Sequence, residues 1–211
     1  MEGRVKYQAG EYVYLWIPTI SPIEMHPFSI SSIPESGGMT VIVKVDGNWS
    51  RRLADRPVER VWIEGSYSAA TIPTSFYSRL IFVAGGTGIT PFISIVNSIR
   101  ERNRKPENRT QVDLFWSSSC LDLFGYFEQN IVHLLEDECI HIHLYYTGKE
   151  DVQAVLGDQC SRDFKDSINV CRIDIPQQLG AYAVQIPNFS NIGVLSCGPA
   201  SLVNESLFCP T

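Results

Sequence analysis

The segment Leu80-Ile81-Phe82-Val83-Ala84-Gly85-Gly86-Thr87-Gly88-Ile89-Thr90-Pro91 constrains this chain more than any other. The apolar run Leu80 to Ala84 has no alternation, so it predicts a strand buried on both faces, as in a parallel sheet. Glycines then allow a tight turn. Thr90 followed by Pro91 predicts a helix start, with Thr90 as the N-cap and Pro91 at the first helical position. Glycines let a backbone approach a pyrophosphate, and the free N–H groups and dipole of a helix start favour its charge. No Lys-Ser/Thr pair follows, so this is not a P-loop, and it departs from the G-x-G-x-x-G fingerprint. The plain alternative for the spacing alone is a tight strand-to-helix turn.

The rest of the chain falls into two patterns. After Arg79, strands alternate with helices: a helix to about Arg104, a strand at Val112–Trp116, a helix at Leu123–Glu138 and a strand at Ile140–Tyr146. A polar, irregular stretch follows, then a strand at Ile192–Ser196 and a helix from Ala200. That alternation predicts a parallel sheet with nucleotide-binding potential. Before Arg79 the signals are short strands at Glu11–Ile17, Phe28–Ile33, Met39–Val45 and Val58–Glu64, with a turn at Pro34–Gly38. Ser50 is placed to cap a short helix running to Leu53. Short antiparallel strands with these breaks predict a small barrel. The expected class is therefore α/β plus β, with one domain at 1–72 and a second at 73–211.

Composition excludes several functions. Of the 211 residues 44% are hydrophobic and 19% charged, which suits a folded chain rather than a disordered one. A net charge of -6 gives no long-range attraction to nucleic acid. No apolar run reaches the ~20 residues of a membrane-spanning helix. The six cysteines form no C-x-x-C pair, so zinc or iron–sulfur ligation is not expected. His141 and His143 share one face of a strand, yet lack an evident third ligand. No metal is expected.

Cys197-Gly198-Pro199 closes the last apolar strand. Ligands of open α/β sheets sit beyond the carboxyl ends of the strands, so Gly88 and Cys197 are expected at one crevice. A thiol there is small and polarisable enough to pack beside a flat ring. A buried structural cysteine is the plain alternative.

Taken in order, His26-Pro27-Phe28-Ser29, Gly85 to Pro91 and Cys197-Gly198-Pro199 resemble the ferredoxin-reductase-like dehydrogenase region of ferric reductases and NADPH oxidases. The resemblance spans residues 7–208, and the H-P-F-S form of the first motif favours this branch over cytochrome b5 reductases. It implies an antiparallel FAD-binding barrel, here partial, followed by a Rossmann-like NAD(P)-binding domain. It also implies that His26, Pro27 and Phe28 hold FAD, with the Ser29 hydroxyl within reach of flavin N5, and that Ser32 contacts the ribityl or phosphate portion. Lys44, Trp49 and Ser50 fall in the segments that neutralise or bind the FAD pyrophosphate. Gly85, Gly86, Thr87, Gly88, Thr90 and Pro91 would take NADPH, with NADH as the alternative. Cys197, Gly198 and Pro199 would border the nicotinamide, and Ser29 and Cys197 would flank the hydride transfer.

By the same resemblance the electrons pass to haem in a membrane domain outside this chain, in the same parent protein or a separate one. The module then lies on the cytoplasmic face of a membrane, and the expected activity is ferric-chelate reduction. Superoxide production by an NADPH oxidase is the alternative, and a non-catalytic truncated remnant is a third reading. Three departures bear on these readings. Glu64-Gly65-Ser66-Tyr67-Ser68 lacks the proline and second glycine common at that place, and Trp116-Ser117-Ser118-Ser119 offers hydroxyls but no cation for a 2′-phosphate. The first barrel strands and the final strand of the family have no counterpart, so a fragment or shortened product of a longer membrane protein is expected.

Overall fold

A computed structural model describes residues 5–68, 73–105, 109–185 and 191–207. Packing divides the chain into two units, one of residues 1–71 with 90–98, the other of 72–89 with 99–211.

The first unit is built on a three-stranded antiparallel sheet. Its strands are β1 (Tyr12–Trp16), β2 (Met25–Ser29) and β3 (Trp62–Tyr67), in the order β2-β1-β3. Alternation along β1 turns Val13 and Leu15 inward, where they pack with Ile30, Val41 and Met39. Ile17, Ile20 and Trp49 form a second cluster, with Phe28 and Val43 against it. Helix α1 (Asn48–Asp55) carries Trp49 into that cluster.

Four expectations are corrected here. Met39–Val45 is not a strand: among the described residues it makes one isolated bridge, Ile30 to Val41. Its alternate valines reach the core without a ladder, so the described sheet has three strands and does not close. The strand carrying the first motif starts earlier and ends at Ser29, and β3 lies several residues later than its β-branched signal suggested. Ser50 does not cap α1 from outside. Gly47 is the N-cap, and Ser50 sits in the first turn, its Oγ accepting the N–H groups of Asp46 and Gly47, each at 3.0 Å.

The second unit contains a five-stranded parallel sheet of β4 (Arg79–Gly85), β5 (Gln111–Ser118), β6 (Ile140–Tyr146), β7 (Ile168–Asn169) and β8 (Ile192–Cys197), in the order β7-β6-β5-β4-β8. Helices α3 (Leu121–Leu135), α4 (Val152–Leu156), α5 (Arg162–Asp166), α6 (Ile175–Gln185) and α7 (Ala200–Leu207) connect and flank these strands, and α2 (Ile89–Asn103) follows β4, its residues 90–98 counted with the first unit. The apolar run read from the sequence is β4, an interior strand between β5 and β8 that is buried along Leu80 to Gly85. On one face Ile81, Val83 and Phe115 meet Ile173, Ile175 and Leu179. On the other, the fully buried Trp116 packs against Phe124 and Phe127 of α3.

The stretch expected to be irregular holds α4, α5, β7 and α6. Helix α2 begins at Ile89 after a 3-10 turn at Gly86–Gly88, so Gly88 rather than Thr90 is its N-cap. Pro91 is then third in the helix rather than first. It is tolerated because the first four N–H groups have no partner within a helix. Among the described residues no helix is long and apolar enough to cross a membrane.

Candidate functional site

In the second unit the two glycine-bearing motifs meet. Strands β4 and β8 are parallel neighbours with Ala84 opposite Cys197, so the turn after β4 and the turn after β8 leave the sheet side by side. Their backbones are in contact. A Cβ built on Gly88 would lie 2.2 Å from the carbonyl oxygen of Cys197, and one on Gly85 would lie 2.7 Å from the Pro199 ring. Gly198, at φ +155, would place a Cβ 2.9 Å from Gly85 Cα. These glycines are required by close packing of one turn on the other.

Gly86 differs. It has φ +54, in the left-handed region, and among the described residues nothing lies within 4 Å of the position its Cβ would take. The turn therefore presents bare backbone to open space immediately before the N-terminus of α2. That combination favours an anionic group of a ligand. Beneath the turn, Trp116 Nε1–H donates to the Gly86 carbonyl at 2.9 Å. Sequence reasoning missed this residue, because the last aromatic of an apolar strand reads as core.

Cys197 is half-buried, and burial pushes its thiol up from the usual range, so the sulfur is a neutral thiol near pH 7. Ser118, the last residue of β5, serves the loop that follows: its Oγ accepts Cys120 N–H at 3.1 Å. Away from the turns, Asp113 is buried at the start of β5 and is shared by Arg79, at 2.5 Å, and the Tyr182 hydroxyl, at 2.7 Å. The polar network lies toward the amino ends of the strands, opposite the glycine turns. His141 is exposed, while His143 stacks on Phe115 with centroids 4.5 Å apart.

The first unit brings His26, Phe28 and Trp49 together. In β2, His26 pairs with Leu15 and Phe28 with Val13, which sets both on the face that holds the core. The Trp49 indole stacks on Phe28 at 5.7 Å and lies 4.5 Å from the His26 ring. Both His26 Nε2 and Trp49 Nε1 are buried without a hydrogen-bond partner among the described residues. Each such atom costs about 1–3 kcal/mol unless something bonds it. Two of them side by side fit a bound group that carries hydroxyls or phosphate oxygens.

The remaining expected residues of this unit are placed differently. Ser29, paired with Tyr12, has a hydroxyl with no protein partner among the described residues. Ser32 Oγ is engaged by Tyr7 Oη at 2.8 Å, Thr40 N–H at 2.9 Å and Gly38 O at 3.2 Å, which fills its bonding capacity. It clamps its own loop. Lys44 is exposed and paired with Asp46 at 3.1 Å, next to Gly47 and the start of α1. A surface pair contributes about 0–1 kcal/mol, so it yields readily to a stronger anion. Pro27 is exposed on the other face of β2.

Residues 77–209 match the family model described as the ferric reductase NAD binding domain, and residues 1–77 match an FAD-binding domain. The chain belongs to the ferric reductase family. Its FAD- and NAD-binding domains follow one another as the motif order implied, and the expected fold class holds. A superoxide-generating NADPH oxidase heavy chain of Dictyostelium discoideum is 28% identical over 97% of this chain and 46% of its own length. Ferric reduction oxidase 8, mitochondrial, of Arabidopsis thaliana is 32% identical over 51% of this chain and 17% of its own. This ferric reductase module thus spans less than half the length of these relatives. Among solved structures, ferredoxin-NADP+ reductase from Plasmodium falciparum matches with a TM-score of 0.64 at 19% identity, over 96% of this chain and 76% of that one. That likeness shows the fold. The chain is thus a flavin- and nicotinamide-nucleotide-binding oxidoreductase module.

Proposed function

We propose that this chain passes reducing equivalents from NAD(P)H to FAD and on to haem in a membrane domain of a ferric-chelate reductase. The observation that carries the reading is the interlock of the Gly85–Gly88 turn with Cys197 and Gly198, which leaves Gly86 facing open space. Bound to the module, the flavin supplies a hydride acceptor that can release electrons one at a time.

The residues of the chain do the positioning. Residues 1–72 would form the flavin-binding domain and 73–211 the nucleotide-binding domain. The backbone from Gly85 to Gly88, with Thr90 and Pro91 in the first turn of α2, would bind the nucleotide phosphates. Cys197, kept as a neutral thiol by burial, would border the nicotinamide with Gly198 and Pro199 without placing a charge beside it. His26, Phe28 and Trp49 would hold the flavin. Lys44 and the α1 start, braced by Ser50, would meet its phosphates, and the unpartnered Ser29 hydroxyl would bond the reacting ring. No acid–base residue is required for hydride movement, so catalysis is mainly orientation. Ser32, with its bonds taken by Tyr7, Gly38 and Thr40, would support the flavin segment indirectly. The module would lie on the cytoplasmic face of the membrane.

The test is flavin retention. The purified chain, incubated with FAD and gel-filtered, should keep flavin absorbance that NADPH bleaches in the absence of oxygen. Loss of all flavin would overturn the reading for this chain and favour a non-catalytic remnant. Equal bleaching by NADH and NADPH would remove any preference between them.

The likeness of nearly the whole chain to a superoxide-generating oxidase heavy chain favours a second reading, in which oxygen is the final acceptor. Attached to its membrane haem domain, a ferric-reductase module consumes NADPH with a ferric chelate and little oxygen. An oxidase module shows the reverse.

A further inference from the structure

We infer that Trp116 is a positioning residue for the nucleotide turn: its indole N–H, bonded to the Gly86 carbonyl, sets the shape of the backbone that receives the phosphates. The inference rests on the proposed nicotinamide-nucleotide site.

The geometry is specific. Trp116 lies on β5, beside β4, with Ala84 as its register partner. Its side chain is fully buried and wedged between Phe124, at 4.5 Å, and Phe127, at 5.6 Å. A ring held on two sides cannot follow a moving acceptor, so the 2.9 Å bond to Gly86 O fixes the turn rather than the reverse. Gly86 needs such an anchor. With no side chain and φ +54 it has more backbone freedom than any other residue type, and nothing packs where its Cβ would be.

The Gly86 carbonyl also accepts the N–H of Ile89, the first residue of α2. One oxygen therefore joins the indole to the helix start. In a planar trans peptide the carbonyl and the next N–H point in opposite directions. Holding Gly86 O inward toward Trp116 thus also fixes the direction of the Thr87 amide. A core tryptophan that only needed an acceptor could take any carbonyl within reach; this one takes the carbonyl of the one glycine in the turn that faces open space.

The test is Trp116→Phe, which keeps an aromatic ring between Phe124 and Phe127 and removes the donor. Titration calorimetry with NADP+ on the full chain should show affinity weakened about 5- to 10-fold, the effect of one hydrogen bond. Flavin content should match the wild type. In the flavin-loaded chain KM for NADPH should rise by a similar factor while kcat changes less than twofold. Phe124→Leu serves as the packing control, since it loosens the same cluster without touching Gly86. If it weakens NADP+ as much as Trp116→Phe does, or if Trp116→Phe binds like wild type, the positioning role is overturned.

A wild-type chain that takes up no NADP+ overturns the nucleotide reading itself, and this inference with it. Should Trp116→Phe fail to fold, the wild type still decides. The chain has four tryptophans, so the Trp116 indole N–H resonance can be assigned by replacing the other three in turn. Saturating NADP+ should shift that resonance; an unmoved signal overturns the inference.

Discussion

The position a Gly88 Cβ would occupy lies 2.2 Å from the Cys197 carbonyl oxygen and 2.6 Å from its carbonyl carbon. Both atoms are backbone, so no side-chain rotation relieves the contact. Gly88→Ala must therefore part the turns that follow β4 and β8. The expected cost is about 3 kcal/mol, at the upper end for overpacking, or a fall in melting temperature of about 6–12 °C at this chain size. Gly86→Ala meets no atom but must hold a positive φ, so it should cost about 1–2 kcal/mol. Thermal unfolding followed by circular dichroism compares the two, and equal stability of Gly88→Ala and wild type would refute the interlock.

Cys197 yields a prediction separable from folding. Burial pushes its thiol up, so at pH 8 it should alkylate more slowly than Cys120 and Cys171, both exposed. Timed iodoacetamide labelling with mass spectrometry reads all three cysteines at once. Cys197→Ala should retain flavin but slow NADPH-driven flavin reduction at least about 10-fold, a loss of orientation alone. Rapid labelling of Cys197, or an unchanged reduction rate in the variant, would count against its placement beside the nicotinamide.

Some of this fold was legible because local sequence carried it. Ile140–Tyr146 has the bounds read from its apolar, β-branched character, and α7 starts at Ala200 as read. Other elements depend on partners far along the chain. In α6, Pro176, Gln177, Gln178 and Gly180 hide the helix, which forms because Ile175, Leu179 and Tyr182 fall on one face and pack on the sheet. Val41 and Val43 have the alternation of a strand, yet alternation specifies which side chains go inward and not whether a ladder neighbour exists. The meeting of the glycine turn with Cys197 was readable, because both motifs close strands of one parallel sheet. Trp116 was not, because only the β4–β5 register brings its indole to Gly86.

The Arg79–Asp113–Tyr182 network should contribute to stability and not to electron transfer. Asp113 is 2% exposed, and each of its oxygens has one partner. Asp113→Asn leaves Arg79 beside a neutral amide and should cost about 3 kcal/mol, as for a broken buried pair. Tyr182→Phe removes a hydrogen bond to a charged group and should cost about 2 kcal/mol. Urea unfolding measures both. The two effects should be less than additive in the double variant, since the residues share one carboxylate. Additive losses would mean that the network does not act as a unit.

His143 gives the second unit a sensitivity to mild acid. Its ring lies 10° from parallel to Phe115, and its Nε2 is buried without a partner among the described residues. Burial is the largest influence and pushes its pKa below the ordinary 6.5; His141 adds to this, while the Asp113 carboxylate opposes it. The unfolded chain therefore binds this proton more readily than the folded one. Linkage then requires stability to be complete above about pH 6.5 and to fall as the pH drops through that value toward the folded pKa. His143→Phe keeps the stack and deletes the titration, so its urea midpoint should change less than the wild type's between pH 7 and pH 5. Stopping at pH 5 keeps most carboxylates ionised, which leaves imidazoles as the groups that change. If the two proteins lose stability in parallel across that window, the charge on His143 is not what the fold resists.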